Sequence, residues 1–187
     1  MAQRVRVVPK ARGKVLEVGI GSGLNLPYYD SDQVEKVWGL DPSEELLAMA
    51  ASEAAQVDLE VELISERGEQ IPLDDESFDT VVTTFTLCSI PDAPRALASM
   101  ARVLKPDGEL LFCEHGVAPD ESVRRWQNRL NPIWKRVGGG CHLNRPIPDL
   151  IEQNGFELTA VKARYMPGWR WASYQYWGSA VPVNGRR

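Results

Sequence analysis

A chain of 187 residues, 43% hydrophobic and 25% charged, has the length and composition of one soluble domain with a full core. Its net charge of -5 argues against a general affinity for nucleic acid, which takes a basic face. Cys88, Cys113 and Cys141 lack CxxC spacing and are odd in number, against a disulfide framework and for a reducing compartment. Residues 1–11 are basic but hold no signal-peptide apolar run, and no later stretch approaches the roughly 20 apolar residues of a membrane span. The expected place is therefore the cytoplasm.

In chain order, residues 14–18 read as a short apolar strand that runs into Gly19, Gly21 and Gly23. A short helix is expected from Ser22 or Gly23 toward Tyr29. Residues 36–40 form a second strand ending at Asp41. Asp41-Pro42-Ser43-Glu44-Glu45 then brings cap-like residues and early carboxylates for a helix through Ala54. Residues 57–64 alternate apolar and acidic side chains, as on a sheet-edge strand. Residues 78–86 are the continuous β-branched run of a strand buried on both faces. A helix over 94–104 stops before the turn Lys105-Pro106-Asp107-Gly108, and 109–114 is a fifth strand. Strands alternating with helices predict an α/β fold with a parallel sheet covered on both sides.

Beyond Glu114 the pattern changes. Trp126, Leu130, Ile133 or Trp134, and Val137 share a helical face, and Asn131-Pro132 reads as the cap and first position of a second helix. Gly138-Gly139-Gly140 ends it. Residues 147–153 form another helix, stopped by Asn154-Gly155, and strands over 156–164 and 172–178 join through Met166-Pro167-Gly168.

Glycines at every second position after a strand let the backbone turn sharply and approach a ligand. An acidic residue ending the next strand accepts hydrogen bonds from ribose hydroxyls. The dinucleotide spacing GxGxxG is not met, because Leu24 stands where the third glycine belongs, and no GK[ST] phosphate loop occurs. Glu17-x-Gly19-x-Gly21-x-Gly23 instead resembles motif I of class I S-adenosylmethionine-dependent methyltransferases. Asp41, Arg67-Gly68-Glu69, the acidic run Asp74-Asp75-Glu76-Ser77-Phe78-Asp79 and Leu104-Lys105-Pro106-Asp107-Gly108 sit where that family places such features. The resemblance covers about residues 13–180. Thr86-Leu87-Cys88-Ser89-Ile90, Glu114-His115-Gly116, the Trp126/Trp134 segment and Gly140-Cys141-His142-Leu143-Asn144-Arg145 are similar to a methyltransferase-like type 11 group that contains alkyl-thiol S-methyltransferases. Some similar proteins methylate phosphatidylethanolamine.

The resemblance implies a Rossmann-like, seven-stranded, mostly parallel sheet with helices on both faces and the last strand antiparallel. It implies one domain over 1–187, with 1–115 binding the cofactor and 116–187 forming cap helices and a terminal strand pair on the substrate side. The implied cofactor is S-adenosyl-L-methionine, held by Glu17, Gly19, Gly21, Gly23, Asn25, Asp41, Pro42, Gly68, Glu69, Thr86 and Leu87. Arg67 stands where the family often has Asp, which leaves the Gly68 backbone for the adenine. Glu69 is either an adenine or ribose contact or a solvated carboxylate.

The implied acceptor is a small molecule, a thiol before others, since a thiol with a pKa near 8.5 asks little of a base such as His115. His115 follows the fifth strand's carboxyl end and is the candidate catalytic residue. The Asn/Asp-Pro-Pro-Tyr/Phe element of many amide and base N-methyltransferases is absent, which with the acidic balance speaks against nucleic acid. A lipid N-methyltransferase and a non-catalytic S-adenosylmethionine-binding module are the alternatives. Arg124, Arg125, Arg129, Lys135 and Arg136 around the helical tryptophans form either a solvated face or a peripheral membrane contact.

No metal is expected, because Cys113, His115, Cys141 and His142 match no usual zinc spacing. Cys88 reads first as a small buried apolar residue, and Cys141 and His142 as shaping the substrate pocket or bracing the cap. Trp169, Trp171, Tyr174, Tyr176 and Trp177 divide between core and an apolar substrate pocket. The chain starts about a dozen residues before its first strand, where relatives usually carry a helical segment closing the cofactor site. The site is then either open or completed by a second subunit, and the oligomeric state is left undecided.

Overall fold

The computed structural model describes residues 3–183, whose strands pair into one seven-stranded sheet. In chain order these are β1 (Gly13–Val18), β2 (Val34–Leu40), β3 (Val61–Ile64), β4 (Phe78–Thr84), β5 (Leu104–His115), β6 (Phe156–Tyr165) and β7 (Tyr174–Pro182). Across the sheet they run β3-β2-β1-β4-β5-β7-β6. The first five are mutually parallel, and β7 lies antiparallel between β5 and β6. The helices are α1 (Arg4–Val7), α2 (Glu44–Ala54), α3 (Ala93–Val103), α4 (Glu121–Val137) and α5 (Ile147–Gln153).

Strand alternation divides the apolar residues between two cores, one on each side of the sheet. Leu16, Val81, Leu110 and Phe112 join Leu97 and Met100 of α3 and Ile147 and Ile151 of α5 on one side. Val15, Val82 and Leu111 join Val7, Leu26 and Tyr29 on the other. Ser43 caps α2 by accepting from the Leu46 N–H, and Asp92 caps α3 by accepting from the Arg95 N–H. The strand order reverses between β1 and β4, and crevices at the carboxyl ends of strands flanking such a reversal bind ligands.

Several local expectations change. The helix expected from Ser22 or Gly23 to Tyr29 is a series of turns ending in one 3-10 turn, Leu26–Tyr28. Positive φ at Gly21 and Gly23 breaks any continuous helical run there. The third strand is Val61–Ile64 alone, because the chain leaving α2 spends Gln56 and Val57 in turns back to Glu53 and Ala54. The fourth stops at Thr84, because Phe85 takes the left-handed backbone conformation, with φ +56, which no extended strand continues through. The predicted turn at 105–108 is a bulge within β5, where Phe78 pairs with Leu104 but Thr80 with Glu109.

Pro132 lies inside α4 and starts no second helix. The Asn131 side chain that would cap one instead accepts from the Leu143 N–H at 2.9 Å. The last strand begins at Tyr174, after a 3-10 turn over Arg170–Ala172, and continues to Pro182.

Candidate active site

A cleft of about 670 Å³ opens at the strand reversal, floored by the loop after β1. Gly19 and Ile20 extend the β1–β2 pairing by donating to the Leu40 carbonyl at 2.7 and 3.1 Å. Gly19 has φ +75, and a Cβ there would meet the Thr86 side chain at 2.2 Å, so only glycine lets the loop pass this close. Gly21, with φ +55, has nothing within 4 Å of a built Cβ, so the space beside it in the cleft is free. Asp41 directly follows β2 and fixes this loop. Its Oδ2 accepts from the Gly21 N–H at 3.0 Å and its Oδ1 from the Ser43 N–H at 2.9 Å.

The lining also takes Pro42, Gly68, Glu69 and Thr86, so seven of the eleven expected cofactor residues meet on one cleft. Glu17, Gly23, Asn25 and Leu87 are not among the lining residues. Glu17 is buried, and its carboxylate accepts from Asn25 Nδ2 and the Tyr29 hydroxyl, each at 2.7 Å. Burial raises its pKa to about 7, against the pull of Tyr29, Asn25 and Arg4. Arg4 completes this network by donating to Asn25 Oδ1 at 2.6 Å and to Thr84 Oγ1 at 2.8 Å. Arg4 and Phe85 also line the cleft, with the guanidinium 5.2 Å from the ring centre. Neither belongs to a local motif. Glu69 accepts from the Asp92 N–H at 3.4 Å, beside the start of α3.

The opposite wall is the loop leaving β4. The buried Glu114 carboxylate accepts from the N–H groups of Thr86, Leu87 and Cys88 and from the Thr83 hydroxyl. Burial raises its pKa, and those four donors oppose the rise. From above, the 141–145 segment grips the same loop. The Cys88 carbonyl accepts from the His142 N–H at 2.7 Å, and the Leu87 carbonyl accepts from the Arg145 guanidinium.

His115 does not line the cleft itself; its ring packs 5.0 Å from Phe85, which does. His115 Nδ1 lies 3.8 Å from Cys141 Sγ, and Nε2 lies 3.2 Å from the Gln175 side-chain amide nitrogen. Cys88 and Cys141 bring their sulfurs within 3.4 Å. The hydrogen bond between them lowers the Cys141 pKa and raises that of Cys88, with His115 adding to the first effect. Cys113 stays apart in the core, where burial pushes its thiol up to about 12.

The aromatic residues of the second half sort differently from either single expectation. Trp177 belongs to the core on one side of the sheet, Tyr176 packs against the core on the other and donates to the Val117 carbonyl, and none of the five lines the cleft. Trp171 stacks on the exposed Trp169 and meets Trp134 edge-on.

A family model described as a methyltransferase domain matches residues 16–112. The thiol S-methyltransferase TMT1B of Rattus norvegicus is 36% identical over 146 residues, covering 76% of this chain and 59% of that protein. A phosphatidylethanolamine N-methyltransferase of Cereibacter sphaeroides is 37% identical over 127 residues, covering 63% of this chain and 62% of the relative. The chain therefore spans less than two thirds of either relative's length. Among solved structures, a SAM-dependent methyltransferase of Methanosarcina mazei has the same fold, with a TM-score of 0.71 and 23% identity. That likeness covers 91% of this chain and 92% of the other.

Proposed function

Because the chain belongs to the class I S-adenosylmethionine-dependent methyltransferases, we propose that it passes the methyl group to a small apolar thiol. The observation that carries the acceptor class is the wall beside the cleft, where soft and apolar groups meet: Cys88, Cys141, His115 and Phe85. The rat relative is a thiol S-methyltransferase, which agrees with it.

The cleft fits the cofactor. Its volume of about 670 Å³ suits a ligand of this size, the space beside Gly21 is free to take it, and Asp41 stands where ribose hydroxyls can donate. S-adenosyl-L-methionine, when bound, supplies a methyl group on a sulfonium centre. Gly19, Gly21, Asp41, Pro42, Gly68, Glu69 and Thr86 would hold it, while Glu17, Asn25 and Arg4 keep the floor in shape. Residues before 115 supply most of the donor's cleft, and the acceptor wall joins Phe85, Cys88 and His115 of that part to Cys141 of the second. Alignment is the main task, and ordered pairs of reactants reach about 7–11 kcal/mol of barrier reduction.

We assign His115 to the acceptor side. A turnover screen across thiols, amines and phenols, following S-adenosylhomocysteine, is expected to find activity on apolar thiols alone. His115→Ala is expected to lower kcat at least tenfold with calorimetric cofactor affinity unchanged. Turnover confined to amines or phenols would overturn the thiol assignment, and an active His115→Ala would remove His115 from the reaction. The second reading, methyl transfer to a lipid amine, draws on one feature, the apolar stripe that α4 leaves exposed.

A further inference from the structure

We propose that Cys88, His115 and Cys141 hold a zinc-class divalent cation, whose fourth position takes the acceptor sulfur as a thiolate. The three side chains come from different elements: the loop after β4, the end of β5 and the loop between α4 and α5. No sequence spacing announces them. Their ligand atoms nevertheless all lie within 4.8 Å of one another.

The dimensions are close to those of a tetrahedral site. Zinc bonds of about 2.3 Å to sulfur and about 2.0–2.1 Å to nitrogen give edges of roughly 3.8 Å between sulfurs and roughly 3.6 Å between sulfur and nitrogen. Here the sulfurs are 3.4 Å apart and Cys141 Sγ is 3.8 Å from His115 Nδ1. Adjustments of a few tenths of an ångström bring these two edges to the required values. Two cysteines and one histidine with an open fourth position are the ligand set of a catalytic rather than a structural zinc.

The surroundings support the same assignment. A metal-bound histidine is usually oriented by a partner on its other nitrogen, and Gln175 stands 3.2 Å from Nε2. With the amide oxygen turned toward the ring, Gln175 accepts the Nε2 proton and leaves the Nδ1 lone pair facing Cys141. Cys88 is fixed at both ends of its backbone, by Glu114 at its N–H and by His142 at its carbonyl. Sequence neighbours of the ligands, Ser89 and Gly140, line the donor's cleft, as does Phe85 against His115. The cation would therefore sit in the wall between donor and acceptor.

Its use in catalysis rests on the thiol reading above; the binding of the cation does not. On coordination the acceptor thiol gives its proton to solvent water. The acceptor sulfur then forms a bond to the methyl carbon as the carbon–sulfonium bond breaks, and that bond's electron pair stays on the donor sulfur. The product is a neutral thioether, a weaker ligand than the thiolate, and it leaves. No general base is required, which suits an imidazole whose two nitrogens are both engaged.

The test uses the full chain, reduced, loaded with zinc and dialysed, with metal counted by mass spectrometry. Cobalt in its place reports thiolate ligation by charge-transfer absorption. We expect one zinc per chain and a thiolate–cobalt band, both lost in Cys88→Ala and Cys141→Ala and both retained in Cys113→Ala. Calorimetric binding of S-adenosylhomocysteine by each variant shows that it has folded. Substoichiometric zinc, unchanged binding in folded Cys88→Ala and Cys141→Ala, or a Cys88–Cys141 disulfide in place of metal would overturn the site. Zinc bound without turnover of any thiol would overturn the thiol reading and leave the site standing. Thiol turnover that survives removal of the zinc would overturn the cation's catalytic use.

Discussion

Asp41 shows how one carboxylate on the cleft can hold two loops together. It accepts from Gly21 and Ser43, which pins the glycine loop to the entry of α2. Asp41→Ala is expected to weaken S-adenosylmethionine binding at least tenfold by calorimetry, and unchanged affinity would overturn the ribose assignment. The residues legible from sequence were those whose role is local. Gly19, Gly21, Asp41, Pro42, Gly68, Glu69 and Thr86 sit at strand ends, and a strand's carboxyl end is where such sheets bind ligands. Glu17 and Asn25 belong to the same motif but turn toward each other and Tyr29. Arg4 and Gln175 reach the site through tertiary packing, which no spacing encodes.

At the scale of elements, α4 is the most informative departure. Its helical period was legible, but Pro132 reads as a start from sequence because the competing hydrogen bond from Leu143 to Asn131 is long-range. On a wheel of about 100° per residue, Val123, Gln127 and Trp134 face the protein, and Trp126, Ile133 and Val137 form an adjoining stripe left exposed. Arg125, Arg129 and Arg136 follow on the next arc. Such a face suits an anionic bilayer surface, and a solvated basic face is the simpler reading. With a small thiol as substrate, the protein is expected to stay out of the floating fraction when spun with anionic vesicles at physiological salt. Flotation that Trp126→Ser and Ile133→Ser abolish would bring the lipid reading forward. No helix among the described residues is long and apolar enough to cross a membrane.

For the whole molecule, the parallel block followed from the alternation of strands and helices, and the seven strands with an antiparallel end from family resemblance, whereas the strand order is set by long-range pairing that no local pattern encodes. Less legible was the second half, where aromatic residues serve core and surface in adjacent positions. Folding as a unit should carry one pH signature. Burial raises Glu17 from 4.5 to about 7, so its protonated form is favoured in the folded chain. Its contribution is full below the unfolded pKa and is lost as pH rises through about 7, on the order of 3 kcal/mol at most. Urea midpoints measured from pH 5 to 8 should fall for the native chain and vary less for Glu17→Gln; parallel curves would refute the assignment.

The grip of Glu114 on the loop after β4 has a mechanical consequence. Glu114 and His115 are successive residues of one strand, so the backbone of Cys88 and the imidazole hang from the same rail. A displacement of β5 carries both together and preserves their spacing. Cys88 and His115 therefore behave as a jig cut from a single piece, and of the proposed acceptor wall only Cys141 is brought up to it from a separate segment.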